Sequence, residues 1–241
     1  MATKHGTKHH AGGEPHDDAS GAKLNWLRAS VLGANDGIVS IAGLVVGVAG
    51  ATTSKTSIVT AGVAGLLAGA LSMAAGEYVS VSTQRDTERA LIAKEKWELA
   101  HQPKEELEEL AHIYETKGLS RKTAVLVAKE LTAHDVFAAH LDAELGIDPD
   151  NLTNPWHAAF ASALAFTAGA IVPLSAILLP PQNVRIIFTF FAVIVALALT
   201  GTVSAKIGDA SKRKATIRVV LGGAIAMIAT YGIGTLFHTN V

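Results

Sequence analysis

Asn35-Asp36, Met73, Glu77 and the glutamates at 95, 98, 106 and 109 are the residues whose types and spacing can do chemistry in this chain. Asp36 and Glu77 stand inside long apolar runs. A carboxylate in such a run costs about 2.5–3.5 kcal/mol on insertion scales and is by default read as functional, often on an ion path. Asn35 adds an amide oxygen beside Asp36, and Gly37 gives access to the backbone. Met73 and Glu77 are four apart, so a helix places them on one face, one turn apart. A carboxylate binds hard divalent cations; a thioether adds a preference for softer transition metals over Mg²⁺ or Ca²⁺. Plainer readings stay open. Asp36 and Glu77 can be hydrated near the membrane surface, and Met73 can simply pack.

The other glutamates fall in two pairs. Glu95 and Glu98 are three apart, as are Glu106 and Glu109, so each pair shares a helix face. Pro103 lies between the pairs and can fold one toward the other. Four converging carboxylates repel unless cations sit among them. The plainer alternative is a solvated acidic helix with Lys94, Lys96 and Lys104 as partners.

These residues need elements that hold them at two depths, and the composition supplies such elements. The chain has 241 residues, 49% hydrophobic and 17% charged, against about 25% charged in a soluble domain. Of 21 acidic residues, 15 lie between Gln84 and Asp150, and only Asp36 and Glu77 sit inside apolar runs. That partition predicts an all-α membrane protein with one soluble insert. With no Cys, disulfides, thiolate zinc sites and iron–sulfur clusters are excluded. Any metal site must use Asp, Glu, His, Met or backbone oxygen. The net charge of -1 is uninformative about partners, because the charge is segregated.

Residues 1–27 read as a disordered, His-rich tail (His5, His9, His10, His16). It is either solvated or a loose metal trap. It lacks the apolar core and cleavage site of a secretory signal, so none is expected. Residues 28–83 hold two spans, at about 29–51 and 57–81, joined by a very short link. About 22 helical residues cover roughly 33 Å, enough for the hydrocarbon core. Gly43 and Gly47 offer a face for close helix packing. Residues 84–155 form the insert. A helix continues out of span two to His101; a second ends at Gly118; a third, capped by Ser120, ends at Gly146. With 9 basic against 15 acidic residues over 84–154, this small unit has a thin core that leans on a partner copy. Residues 156–241 hold three more spans, at about 156–179, 184–205 and 215–237, with Pro173 inside the first. Lys4, Lys8, Lys23, Arg28 and the basic loop 206–214 share one side with the insert, which the positive-inside rule makes cytoplasmic. Five spans leave the C-terminus outside; one re-entrant span is the alternative.

The order of features resembles the vacuolar iron transporter family, which includes bacterial members. The matching segments are Asn35-Asp36-Gly37-Ile38-Val39-Ser40, Ser72-Met73-Ala74-Ala75-Gly76-Glu77-Tyr78, the two Glu-x-x-Glu pairs, and Glu144-Leu145-Gly146-Ile147. The similarity covers nearly everything from Leu27 to Phe237. It implies a homodimer of five-span protomers, embedded in lipid, moving Fe²⁺ and often Mn²⁺ out of the cytosol in exchange for H⁺. It also implies that Asp36 and Met73 belong to the translocation path and that Glu95, Glu98, Glu106 and Glu109 bind metal in the insert. On the third insert helix the family adds acids and a Met. Glu144 fits one acid; Leu141 stands where another is expected, and His140 where the Met is expected, with Asp142 or His140 as substitutes. The metals are cargo, no tightly bound cofactor and no nucleic-acid partner is expected, and no bond-making chemistry is required. An inner, plasma or organelle membrane would all fit, and lack of a targeting peptide favours a bacterial inner membrane.

Two other classes stay open. A membrane-tethered metal store or sensor would bind metal on the insert while the spans only anchor it; Asp36 and Glu77 argue against that. A membrane enzyme with a carboxylate di-metal centre would pair Glu with Glu-x-x-His. Glu109-Leu110-Ala111-His112 fits this pattern, but Glu130 and His134 are four apart.

Overall fold

The computed structural model describes residues 20–149, 152–208 and 210–237. The histidines of the N-terminal tail lie outside the described residues. The described chain forms seven α-helices and one π-helical turn, with no strand: α1 (Ser20–Ala51), α2 (Lys55–His101), α3 (Pro103–Thr116), α4 (Arg121–His140), the π turn (Leu141–Leu145), α5 (Pro155–Leu178), α6 (Arg185–Ile207) and α7 (Lys212–Leu236). Five of them, α1, α2, α5, α6 and α7, are long and apolar enough to cross a membrane. The helix carrying span one begins at Ser20, so the last eight residues of the expected tail are helical. In α2 the span and the first insert helix are one unbroken rod of 47 residues.

Local chemistry explains the boundaries. Ser54 caps α2 by accepting from the Ser57 amide, Ser120 caps α4 by accepting from the Thr123 amide, and Asn154 caps α5 through the Trp156 and His157 amides. Pro103 stands at the first position of α3, where its missing N–H costs nothing, so α2 stops one residue earlier. Gly118 and Gly146 take positive φ (102° and 61°), which glycine adopts without a Cβ penalty. Tyr78 and Trp156 touch, ring centroids 4.7 Å apart, where α2 leaves the apolar zone and α5 enters it. Paired aromatics at that level are what a membrane–water boundary selects.

Helix α1 is the centre of the spans. One face joins Ile41 and Val45 to Ile58 of α2 and to Phe166, Ala170 and Ile177 of α5. The other joins Ile38 and Ala42 to Val193 and Leu197 of α6 and Met227 of α7. Lipid offers no hydrophobic drive between helices, so close backbone approach must supply the cohesion. It does so at two crossings. A Cβ on Gly37 would overlap the Phe166 carbonyl, and one on Gly169 would overlap the Ala34 carbonyl; on the other side, a Cβ on Gly234 would overlap the Gly47 carbonyl. The insert core is much smaller: Leu110 and Ala111 of α3 against Ala128 of α4, flanked by Leu107, Tyr114, Val125 and Leu131.

Gly234→Ala should therefore lower the thermal unfolding midpoint in detergent, at a cost of about 1–3 kcal/mol, because backbone rather than a flexible side chain blocks the new methyl. Gly222, with nothing within 4 Å of a Cβ, should tolerate alanine and gain up to about 1 kcal/mol of helix propensity. Equal effects of the two substitutions would remove the close-approach account.

Candidate metal site

The insert brings four ligand side chains from four elements to one point. Glu95 comes from the outer part of α2, Glu106 from the first turn of α3, His140 from the end of α4, and Glu144 from the π turn. One ligand atom from each lies within 4.8 Å of all the others. His140 Nδ1 is 3.0 Å from Glu95 Oε1 and 3.6 Å from both Glu106 Oε2 and Glu144 Oε2. His140, Glu95 and Glu106 are buried, and Glu144 closes the site at its solvent edge.

The backbone around this site is unusual. Inside α4, Asp135 leaves helical geometry (φ -158°, ψ 97°), and its Oδ1 accepts from the Ala138 amide, which restarts the helix. The next turns widen into the π turn, a feature common at functional sites. His140 and Glu144 both reach inward, while Leu141 is buried.

The electrostatics are unbalanced. Glu95 Oε1 and both His140 nitrogens are buried and make no hydrogen bond. Their closeness is thus a meeting of ligand atoms rather than a satisfied polar network. Nearby bases are engaged elsewhere: Lys94 pairs with Glu98 at 2.8 Å, and Arg121 pairs with Glu108 and, at 3.2 Å, with Glu115. Burial, and then the charges of Glu144, Glu106, Glu98 and Glu109, push the Glu95 carboxyl up to about 7. Burial, and then Glu109, Glu98 and Glu144, raise the Glu106 carboxyl. Three carboxylates and an imidazole are an oxygen-and-nitrogen donor set for a divalent first-row metal, which would supply the missing positive charge.

Each sequence-predicted residue has a definite place. One member of each glutamate pair enters the site, Glu95 and Glu106, and its partner does not. Glu98 is held by Lys94, and Glu109 is exposed. Both still act on the site through their charge. Asp142 is exposed and lines a separate open pocket of about 640 Å³ with Asp135 and Asp148. His112 is exposed, its Nδ1 3.7 Å from Glu115, so the Glu-x-x-His element builds no di-metal centre among the described residues. In the spans, Asp36 is half-buried and accepts from Ser40 at 2.6 Å. Asn35 Oδ1 accepts from Thr200 of α6 at 2.6 Å, so that amide oxygen ties α1 to α6. Met73 packs on the Ile41–Phe166 cluster and Glu77 is half-buried. Asp36 and Glu77 do not join a group of three metal-ligating side chains among the described residues.

Two measurements check the site. Metal affinity should fall about 10–100-fold on His140→Ala or Glu106→Gln, and much less on Asp142→Ala; calorimetry with Mn²⁺ on the purified full chain reads this. The second concerns pH. Between pH 4.5 and about 7 the folded state holds a proton on Glu95 that the unfolded state has lost, so the metal-free protein should lose stability across that window as pH rises. Glu95→Gln should flatten that slope in thermal unfolding, and added Mn²⁺ should raise the midpoint most above pH 7.

Known proteins resemble this chain along most of its length. A profile of the VIT family matches residues 27–235. The chain is 41% identical over 228 residues to a protein of Acanthamoeba castellanii named vacuolar iron transporter, covering 94% of this chain and 84% of that protein. It is 36% identical over 212 residues to vacuolar iron transporter homolog 2.1 of Arabidopsis thaliana, covering 88% and 81%. With a VIT-like transporter 1b of Glycine max it shares 34% over 219 residues, covering 90% and 79%. Matched along nearly its whole length, from the first span to the last, the chain belongs to the VIT family.

Proposed function

We propose that this protein carries Fe²⁺, and Mn²⁺ with it, out of the cytosol across its membrane in exchange for protons, with the insert collecting the metal. The observation that carries the reading is α2 itself. One continuous helix holds Glu95 in the four-ligand cluster and Met73 and Glu77 in its apolar half. Glu77 and Glu95 are eighteen residues apart, five whole turns, so they share a face about 27 Å apart. Gln84 and Glu88 fall on that face between them, joined by a 2.8 Å hydrogen bond. A polar stripe therefore runs from the collecting site to the membrane carboxylate. An anchor for a tethered store would gain nothing from it.

Proton exchange follows from the same chemistry. A carboxylate beside a cation keeps a low pKa, which rises when the cation leaves, so metal release favours proton uptake. Asp36, Met73 and Glu77 are the path residues in this reading, completed by a second copy. The small, exposed face of α2 supports that dimer: Ala64, Ala68, Ser72, Gly76 and Ser80 recur every fourth residue and are all exposed. Small side chains at that spacing let membrane helices approach closely. The N-terminal segment, the insert and the loop 206–214 share the side that carries more Lys and Arg, which the positive-inside rule makes cytoplasmic, and α7 ends on the other side. The named relatives belong to the vacuole, and the sequence reading favours a bacterial inner membrane; in both settings the ion leaves the cytosol.

Sealed proteoliposomes with an internal pH dye test this. Wild type should show Fe²⁺ flux with opposite proton flux. Asp36→Ala should abolish both. Glu95→Gln/Glu106→Gln should slow flux at low metal and recover at high metal. Metal bound on the insert with no flux in wild type would sink transport and favour the tethered store.

A further inference from the structure

The first residue of α6, at the face opposite the insert, is a buried arginine. Arg185 is only 8% exposed, and its Nε is sealed from solvent with no hydrogen-bond partner. No ion pair is formed by it among the described residues. Buried Thr189 donates to the backbone carbonyl of this residue at 2.7 Å and does not serve Nε. The N-terminus of α6 adds to the local positive potential. Val184 at the cap position has no side chain that can accept, and the Val184 and Arg185 amides donate to the Pro181 carbonyl at 3.2 and 3.1 Å; the positive end of the helix dipole has the same sign as the guanidinium charge.

The chain has no carboxylate side chain to answer this charge. No Asp or Glu occurs at 37–76, 151–208 or 210–241, which includes both short links on that face. The other charged side chain in those links is Lys55, also a cation. A buried charge has to be paired, because leaving it alone in an apolar surround is costly. Among the described residues no carboxylate pairs with Arg185, and the leaflet around this face is a source of acceptors.

We propose that Arg185, at the positive end of the α6 dipole, binds the phosphate of a phospholipid headgroup in the leaflet opposite the insert. Three features select this occupant. A guanidinium matches phosphate geometry with two parallel hydrogen bonds. The positive end of a helix dipole favours an anion beside it. The surround is greasy rather than aqueous: Leu179, Ile187, Phe188 and Phe191 flank the site and are all exposed, a surface that acyl chains cover and a free anion does not use. The lipid then acts as a fixed partner for the α5–α6 corner.

The test is thermal unfolding of the full chain in detergent, with and without added lipid, for wild type, Arg185→Gln and Arg185→Lys. Without phospholipid, Arg185→Gln should unfold at the same temperature as wild type or higher, because an unpaired buried charge has been removed. Phosphatidylglycerol in hundredfold excess over its dissociation constant should raise wild type by at least about 5 °C. It should raise Arg185→Lys less and leave Arg185→Gln nearly unmoved, so the order of stability reverses. A glycosyl diacylglycerol without phosphate should shift none of them. The proposal is overturned if Arg185→Gln is less stable than wild type in both conditions or fails to fold without lipid, since the guanidinium then serves the protein's own interior. It is equally overturned if the phosphate-free lipid gives the same shift, or if inorganic phosphate alone reproduces it, which would identify a free-anion site.

Discussion

A charge taken out of water needs a replacement for that water, and the arrangement of this protein follows from how that need is met. The insert buries Glu95 and Glu106 around His140, with Glu144 at the rim, and has committed its nearest bases elsewhere. Its apolar core, Leu110, Ala111 and Ala128, is too small to be the main force joining three helices. A divalent cation at the cluster would hold α2, α3 and the end of α4 together and cancel the repulsion that raises the carboxyl pKa values. Metal binding and cohesion of the insert are in that sense one free energy.

The spans meet a different form of the same constraint. Lipid solvates neither backbone nor charge, so all five crossing elements are helices and their cohesion comes from contact at short range. Helix α1 reaches α5 through Gly37 and Gly169 and α7 through Gly47 and Gly234. Phe166 is the shared part: its backbone lies against Gly37 while its ring lies against Gly69 of α2. Asp36 adjoins the first crossing, and Met73 is one turn beyond Gly69. The residues assigned to the ion path thus sit beside the tightest packing, which fixes their backbone. Rigid placement of its supporting residues is what a metal-binding site requires.

The unbroken α2 joins the two regions. Because no loop intervenes between Glu77 and Glu95, a rotation or tilt of this helix moves both carboxylates together. The far end of the bundle is organised by charge as well. With cations and no carboxylate side chains at that face, the lipid surface becomes part of the protein's electrostatic balance.

The sequence by itself determined the architecture. Apolar runs of span length, acidic residues concentrated at 84–150, and Ser, Asn, Pro and Gly at the helix ends are local signals, and helices in lipid obey local rules because their backbone bonds close within the segment. It also marked both glutamate pairs and His140. Three-residue spacing says only that two side chains share a face, so it could not say that Glu95 and Glu106 turn inward while Glu98 and Glu109 face Lys94 and solvent. That choice depends on how α3 folds back over α2 and on the break at Asp135 and the π turn, which have no signature in helical periodicity. Asn35 was legible as a polar residue in a span, but its bond to Thr200 joins positions 165 residues apart. Only packing decided that Arg185 is buried. Burial and pairing are relations between elements, and those exist only once the tertiary structure has formed.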